Sequence, residues 1–401
     1  MICPEPSELQ QLVRDLHRQA SPWLPAGLGS RLHWGPPVLP AAGEARPLTI
    51  STARLDRLVE HCSGDFTVTV QAGMPLERLQ AELAREKQWL AIDWPWGSGP
   101  DGGGSGSVGG LVARGMAGGL RQRYLGVRDQ LIGIALLRAD GTAARAGGKV
   151  VKNVAGYDLM RLFSGSWGSL GLITELTLRT FPQPPHRGGL LIRGDGAALE
   201  TLRRQALQAP LPPQRLDWWS PALAGDDRPA LLLSLVSVSP GAITDQLNRH
   251  RSAATHLGLA ARLLDPDDLL ALESEGWGGG RRGDDLWLLQ LGVLPARGAA
   301  LLADPDLHDL TLSLAAGAGQ GLAWAAPAAL PCHRLERLRR RCEALGGFLT
   351  VLQQPRPARL AAWGDAPGRA VIEAIKREFD PLQQLARGRL PGVAAQPPTS
   401  A

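Results

Sequence analysis

Cysteine is scarce and scattered: Cys3, Cys62, Cys332 and Cys342 form no C-x-x-C pair. That excludes the close ligand spacing of a zinc site or an iron–sulfur cluster, so any such cluster belongs to another chain. It also excludes the dense cysteine framework of a small secreted domain and points to reduced thiols. Long apolar runs are missing as well. The longest, around 230–238, falls well short of the roughly 20 residues that span a bilayer. The first twenty residues carry Glu5, Glu8, Arg14, Asp15 and Arg18 and lack the apolar segment of a secretory signal. A soluble, cytoplasmic protein without a membrane span is expected; attachment to a membrane through a partner subunit stays open. Only four of the 43 basic residues are lysine, and the arginines are spread along the chain with no local stretch of interleaved aromatics. The net charge of +5 therefore gives no footprint for nucleic acid.

What remains is ordinary globular material, 44% hydrophobic and 20% charged, in a chain of 401 residues. That length suggests two or three packed units with room for a large cofactor. Leu9, Leu12, Val13 and Leu16 mark a helix over 7–20, with Ser7 as its N-cap. A glycine-rich turn at 27–30, a strand at 48–51, a helix at 55–62 and an alternating strand with Phe66, Val68 and Val70 follow. Pro75, Leu76, Leu79 and Leu83 predict a helix over 74–87. Residues 131–137 read as a buried strand, turned by Asp140-Gly141 into a hairpin, and 172–180 as a last strand before Pro182, Pro184 and Pro185. These prolines set the expected domain boundary. Beyond it, core strands at 230–238, 285–294 and 310–314 alternate with helices at 243–257 and 331–345, the latter stopped by Gly346-Gly347. They predict a mixed sheet with helices on one side. No repeat of fixed period is present.

Two glycine-dense stretches carry the chemistry. In residues 147–185, Gly165, Gly168 and Gly171 recur every third position and lead into a strand, where Ile173 and Thr174 can supply edge contacts. In residues 105–118 (SGSVGGLVARGMAG), the amides at Gly109 and Gly110 are bare enough to approach phosphate. On spacing alone, either stretch reads equally well as a tight loop or bulge. Neither fits the G-x-G-x-x-G fingerprint between strand and helix, and the glycines before Lys149 do not complete a P-loop.

The run KNVAGYDL followed by GSWGSLGLITE resembles the vanillyl-alcohol-oxidase (PCMH-type) FAD-binding family, and within it the E subunits of bacterial glycolate oxidases, from about Trp23 to Pro185. The resemblance implies an α+β architecture: a two-subdomain PCMH-type FAD-binding fold over 1–185, a ferredoxin-like cap over 186–378, and a tail over 379–401 that returns to the flavin. It implies noncovalent FAD. The turn Gly27, Leu28, Gly29, Ser30 and Arg31 would wrap the diphosphate. Ser107, Gly109, Gly110, Ala113 and Gly118 would add flavin contacts, and Gly165, Ser166, Gly168, Gly171 and Ile173 would flank the adenosine and the ring. His33, just beyond the first turn, reads as an ordinary loop residue. The tail departs from the family's Phe-Asn-Pro-Gly-Lys/Arg run: Phe379-Asp380-Pro381 lies well before Gly388 and Arg389.

The implied function is that of an FAD-binding subunit of a glycolate oxidase or dehydrogenase complex acting on a small 2-hydroxy acid. Its partners would be a catalytic FAD subunit of related fold and an iron–sulfur subunit. Such oxidation needs a group to take the hydroxyl proton and a cation to hold the carboxylate. The histidine-rich G-D-G-N-x-H element of catalytic relatives is missing, so no catalytic residue is assigned. The pairs His186-Arg187 and His333-Arg334 are expected at the surface. Two other readings stand beside this one: a stand-alone D-lactate or glycolate dehydrogenase, and an assembly subunit with a vestigial flavin site.

Overall fold

The computed structural model describes residues 1–38, 47–93, 106–149, 157–277 and 285–394. Ser105, the glycines before it and most of the KNVAGYDL run lie outside the described residues. The architecture is α+β in two layered units.

The first unit is built on a five-stranded antiparallel sheet in the order Leu58–Cys62, Thr67–Gln71, Leu172–Arg179, Leu131–Leu137, Ala143–Gly147. Val68, Val70, Leu176 and Leu178 share its inner face with Leu76, Leu79 and Leu83 of the helix Leu76–Ala84. The three leucines recur at helical spacing, and this packing holds the helix on the sheet. Beside it, Trp23–Ala26 pairs in parallel with Leu48–Ser51. Ahead of these strands the helix Leu9–Arg18 buries Leu9, Val13 and Leu16 as its periodicity predicts. Ser7 does not cap it; the N-cap is Glu8, with no side-chain bond.

The expected helix at 55–62 is instead the strand Leu58–Cys62. Leu58, Glu60, His61 and Cys62 pair with Val70, Thr69, Val68 and Thr67 across a tight turn, and this cross-strand partner outweighs the weak local helical pattern.

The second unit is an eight-stranded sheet over 186–353, and here the expectation of a mixed sheet fails: every pairing is antiparallel. Its helices join strands that flank a third strand running the other way, as Gly196–Leu207 joins His186–Arg193 to Arg215–Trp219 across Ala230–Ser237, which makes a helix–strand alternation look like parallel units in sequence. One face packs against the helices Gly196–Leu207, Pro240–His256 and Cys332–Ala344. The other turns toward the first unit, where Leu191, Trp219, Leu232, Leu288, Leu322 and Trp324 meet Trp34, Met116 and Trp167.

The chain returns to the first unit earlier than residue 379. Ile375 and Phe379 of the helix Arg369–Phe379 pack on the first sheet's core, and Phe379 meets Phe163 edge-on at 5.5 Å. Lys376, missed in the sequence, donates from a buried Nζ to Asp380 Oδ2 (2.5 Å), Ser169 O (2.7 Å) and Leu385 O (2.8 Å). Asp380 also accepts from the amides of Gln384 and Leu385. The aspartate that departs from the family run is thus the knot that ties the tail down.

A second buried ionic group joins the two units. Arg215, on the strand Arg215–Trp219, donates to Asp93 Oδ1 (2.6 Å) and Asp217 Oδ2 (3.0 Å) and lies 3.8 Å from Glu273. Asp93 Oδ2 accepts from the amides of Gly118 and Leu120. Arg187 is the next cation, 3.9 Å from Glu273. Three carboxylates thus face two guanidinium groups. Burial first, with Asp93 and Glu273 adding and Arg215 opposing, raises the Asp217 pKa from 3.8 to about 6. A folded pKa above the unfolded one contributes stability that is full below the unfolded value and lost as pH rises through the folded value. We therefore expect Asp217→Asn to gain on the wild type between about pH 4 and pH 6, by up to about 3 kcal/mol. Urea unfolding of both proteins across that window checks this, and a constant difference would refute it.

Candidate functional site: a cationic cleft in the first unit

A cleft of about 970 Å³, the open solvent at its mouth included, lies beside the turn that follows the strand Trp23–Ala26. The turn is held from behind: Ser51 Oγ donates to Gly27 O (2.7 Å), and Thr52 N to Ala26 O (2.9 Å). Gly29 has a φ of +79° and Gly106 of +74°, conformations that side chains disfavour. Opposite, Ser107 caps the helix Val108–Arg114, its Oγ accepting from Gly110 N at 3.1 Å. A methyl group on Gly27 would run into that hydroxyl, and one on Gly109 would sit 2.8 Å from Ala72 Cβ and O. The missing side chains therefore let two backbones close on each other, and Gly109 N donates to Ala72 O (2.8 Å).

Of the residues expected to bind the cofactor, Gly27, Leu28, Gly29, Ser30, Arg31, Ser107, Gly109, Gly110, Ala113, Gly168, Gly171 and Ile173 come together as its lining. Three stand elsewhere. Gly118 faces the Trp277 indole of the second unit and gives its amide to Asp93. Gly165 donates its amide to Val112 O, and Ser166 turns its hydroxyl to Phe163 O. These serve packing, because the glycine pattern that reads as ligand contact also allows main chain and indole to approach closely.

Sequence reasoning named Arg31 and Arg389 but missed Arg114 and the rings. Arg114 donates from Nη2 to Arg31 O (2.7 Å) and stacks 3.8 Å over the Trp167 ring. Its Nη1 is sealed from solvent without a hydrogen-bond partner. Burial first, then Arg389 and Arg31 nearby, pulls its pKa well below the ordinary value. Arg389 donates to the carbonyls of Pro36 (2.7 Å), Leu32 (2.6 Å) and Trp34 (3.0 Å), so the tail clamps the chain just beyond the glycine turn. Burial lowers its pKa to about 10. Trp167 holds a φ of +56°, rare for an aromatic residue, and is fixed there by Arg114 and by Trp363 at 5.1 Å. The one sequence signal for it was its place between Gly165 and Gly168.

Among the described lining residues Arg31, Arg114 and Arg389 are the titratable groups. All eight histidines lie elsewhere. His33 bonds Gln353 (3.1 Å), His17 bonds Gln384, His61 bonds Gln88 and His250 bonds Gln246. His186 and His333 are exposed, as expected of surface pairs. Small residues, buried guanidinium groups and flat indoles fit an anionic dinucleotide with a fused ring. The amides of Gly109 and Gly110, expected to be bare, are spent on Ala72 O (2.8 Å) and Ser107 Oγ (3.1 Å), so the diphosphate would lie against the turn 27–30 and the cations.

Residues 1–147 match the FAD binding domain family, so the chain carries a PCMH-type FAD-binding domain, and FAD is its cofactor. Similar proteins include the glycolate oxidase subunit GlcE of Escherichia coli, 36% identical over 185 residues, or 44% of this chain and 50% of that protein. A D-2-hydroxyglutarate dehydrogenase of Xanthomonas citri is 34% identical over 46% of this chain and 37% of its own length. The glycolate oxidase subunit GlcD of Bacillus subtilis is 31% identical over 46% and 37%. The match thus spans half or less of these relatives. Among solved structures, an alkyldihydroxyacetonephosphate synthase superposes with a TM-score of 0.68 over 96% of this chain and 75% of its own, at 14% identity, which bears on the fold alone. No helix among the described residues is long and apolar enough to cross a membrane.

Proposed function

We propose that this chain is an FAD-holding subunit of a complex that oxidises a small 2-hydroxy acid such as glycolate to the 2-oxo acid. Bound noncovalently, FAD supplies the hydride and electron chemistry of the reaction. The chain's own residues hold the diphosphate on the glycine turns, seat the ring against indoles, and surround both with guanidinium groups. The observation that carries the proposal is the one-sided chemistry of the cleft: its described side chains offer cations and no group suited to accept a hydroxyl proton at neutral pH. That division suits a subunit whose related flavin partner brings the base and whose iron–sulfur partner takes the electrons. The similarity to glycolate oxidase subunits supports the same assignment.

Purification under native conditions tests it. We expect about one FAD per chain, on the basis of one such cleft among the described residues, and co-purification of a second flavoprotein with an iron–sulfur protein. A monomeric chain that oxidises glycolate or D-lactate with an artificial acceptor would overturn the subunit assignment. A colourless chain that takes up no FAD would overturn the cofactor role as well.

A further inference from the structure

We propose that the second unit holds the cofactor turn in place through residues 33–35, with His33 and Gln353 as positioning residues, so that FAD binding and the docking of the two units reinforce each other. This rests on the reading that FAD occupies the cleft. Among the described lining residues none comes from the second unit, yet its grip begins two residues beyond Arg31. Gly35 N donates to Leu352 O (2.6 Å), and His33 Nε2 meets Gln353 Oε1 at 3.1 Å. Both acceptors belong to the strand Phe348–Gln353, which lies at the edge of the eight-stranded sheet.

The strand is shaped for this contact. Gln353 pairs with Leu288 and Val351 with Leu289, so Leu352 is an extra residue between them, a β-bulge. The bulge takes Leu352 out of the ladder, and its carbonyl accepts from the first unit instead. On the other side of the contact Gly35 has a φ of +76°, and a methyl group there would strike the Trp167 ring. A bare backbone is what lets Trp167 and Leu352 meet the same residue. Short bonds pass the hold back to the turn: Trp34 N donates to Arg31 O (3.2 Å) and Leu32 N to Gly29 O (3.4 Å). Trp34, between the two anchored residues, lines the cleft and shares an apolar cluster with Trp219, Leu288 and Leu352 of the second unit. A ligand that fixes Trp34 and the turn therefore fixes 33–35 where the strand meets it, and by linkage a loosened strand weakens the hold on the ligand. His33 is exposed and outside the lining, so its replacement cuts the coupling without touching the cleft.

The test is hydrogen exchange of the full chain with and without saturating FAD, with the FAD dissociation constants of His33→Ala and His33→Gln measured in parallel. FAD should slow exchange over 349–353 by roughly five- to tenfold more than in the helix Pro240–His256, which packs on strands at the far end of the same sheet. His33→Ala should bind FAD about fivefold more weakly, the worth of one hydrogen bond, and lose part of that extra slowing. His33→Gln, whose amide can donate to Gln353 Oε1, should recover both. Unchanged exchange over 349–353 in the wild type, wild-type FAD affinity in His33→Ala, or no recovery in His33→Gln would each overturn the inference while leaving the FAD assignment intact. A wild-type chain without FAD would instead overturn the reading of the cleft, and this inference with it.

Discussion

Replacing Arg215 by methionine is expected to destabilise the chain by about 3–5 kcal/mol, the usual result of stranding a buried charge. Arg215 and its two partners Asp93 and Asp217 are almost fully enclosed, with side-chain exposures of 6%, 1% and 2%. Methionine fills much of the volume but leaves two carboxylates facing each other, with Glu273 close behind. Asp93 keeps the amides of Gly118 and Leu120, whereas Asp217 Oδ1 already lacks a partner in the intact protein. The loss should therefore be partly reversed by adding Asp217→Leu to Arg215→Met, because an apolar replacement of the pair removes the stranded charge. Chemical denaturation of the three proteins at neutral pH measures both effects. A single variant within about 1 kcal/mol of wild type would show that water reaches the group and screens it. Because Asp93 also fixes the segment around Gly118, the single variant should loosen the two units from each other before either sheet melts, seen as early protease cleavage in the first unit.

How much of this could be read from the sequence follows from the range of the forces involved. Elements whose stability is local were legible. The helix over Leu76, Leu79 and Leu83 and the Asp140-Gly141 hairpin appear where periodicity and turn chemistry place them. The first glycine turn and the Ser107–Gly110 segment also meet in space as expected, because bare backbone there permits a close approach to a ligand and to another strand alike. Elements decided by distant partners were not legible. The strand Leu58–Cys62 exists because Thr67–Gln71 pairs with it, and the antiparallel course of the second sheet depends on which strands become neighbours. One cation of the cleft, Arg114, was invisible for the same reason. Arg114 is one arginine among many in a chain where almost every basic residue is arginine, and only its burial over Trp167 sets it apart. Gly118 misled in the opposite direction. It ends a phosphate-type glycine run, yet its open face is filled by Trp277, a residue far away in sequence.

The two meanings of a glycine can be separated by experiment, and Gly110→Leu should give the larger effect on cofactor binding. At this position a Cβ meets only Ser107 Oγ, at 3.2 Å, beyond the helix's own backbone; the rest of the side chain would project into the cleft. Replacing glycine within the helix Val108–Arg114 also recovers roughly 0.8–1 kcal/mol of helix propensity. The FAD-free protein should thus be as stable as wild type or more so. Filling the cleft costs the ligand about 1–3 kcal/mol or more, so FAD affinity should fall by roughly tenfold to a hundredfold. Gly109→Leu is the contrasting case. Its Cβ would press on the side chain and carbonyl of Ala72, so the fold itself should suffer and melting temperature should drop with FAD absent. Gly168, with a φ of +76° and Pro25 only 2.8 Å from where a methyl group would sit, belongs with Gly109 on this test. Isothermal titration with FAD and thermal melts of the cofactor-free proteins distinguish the two classes. Normal FAD uptake by a folded Gly110→Leu chain would move the dinucleotide out of this cleft altogether.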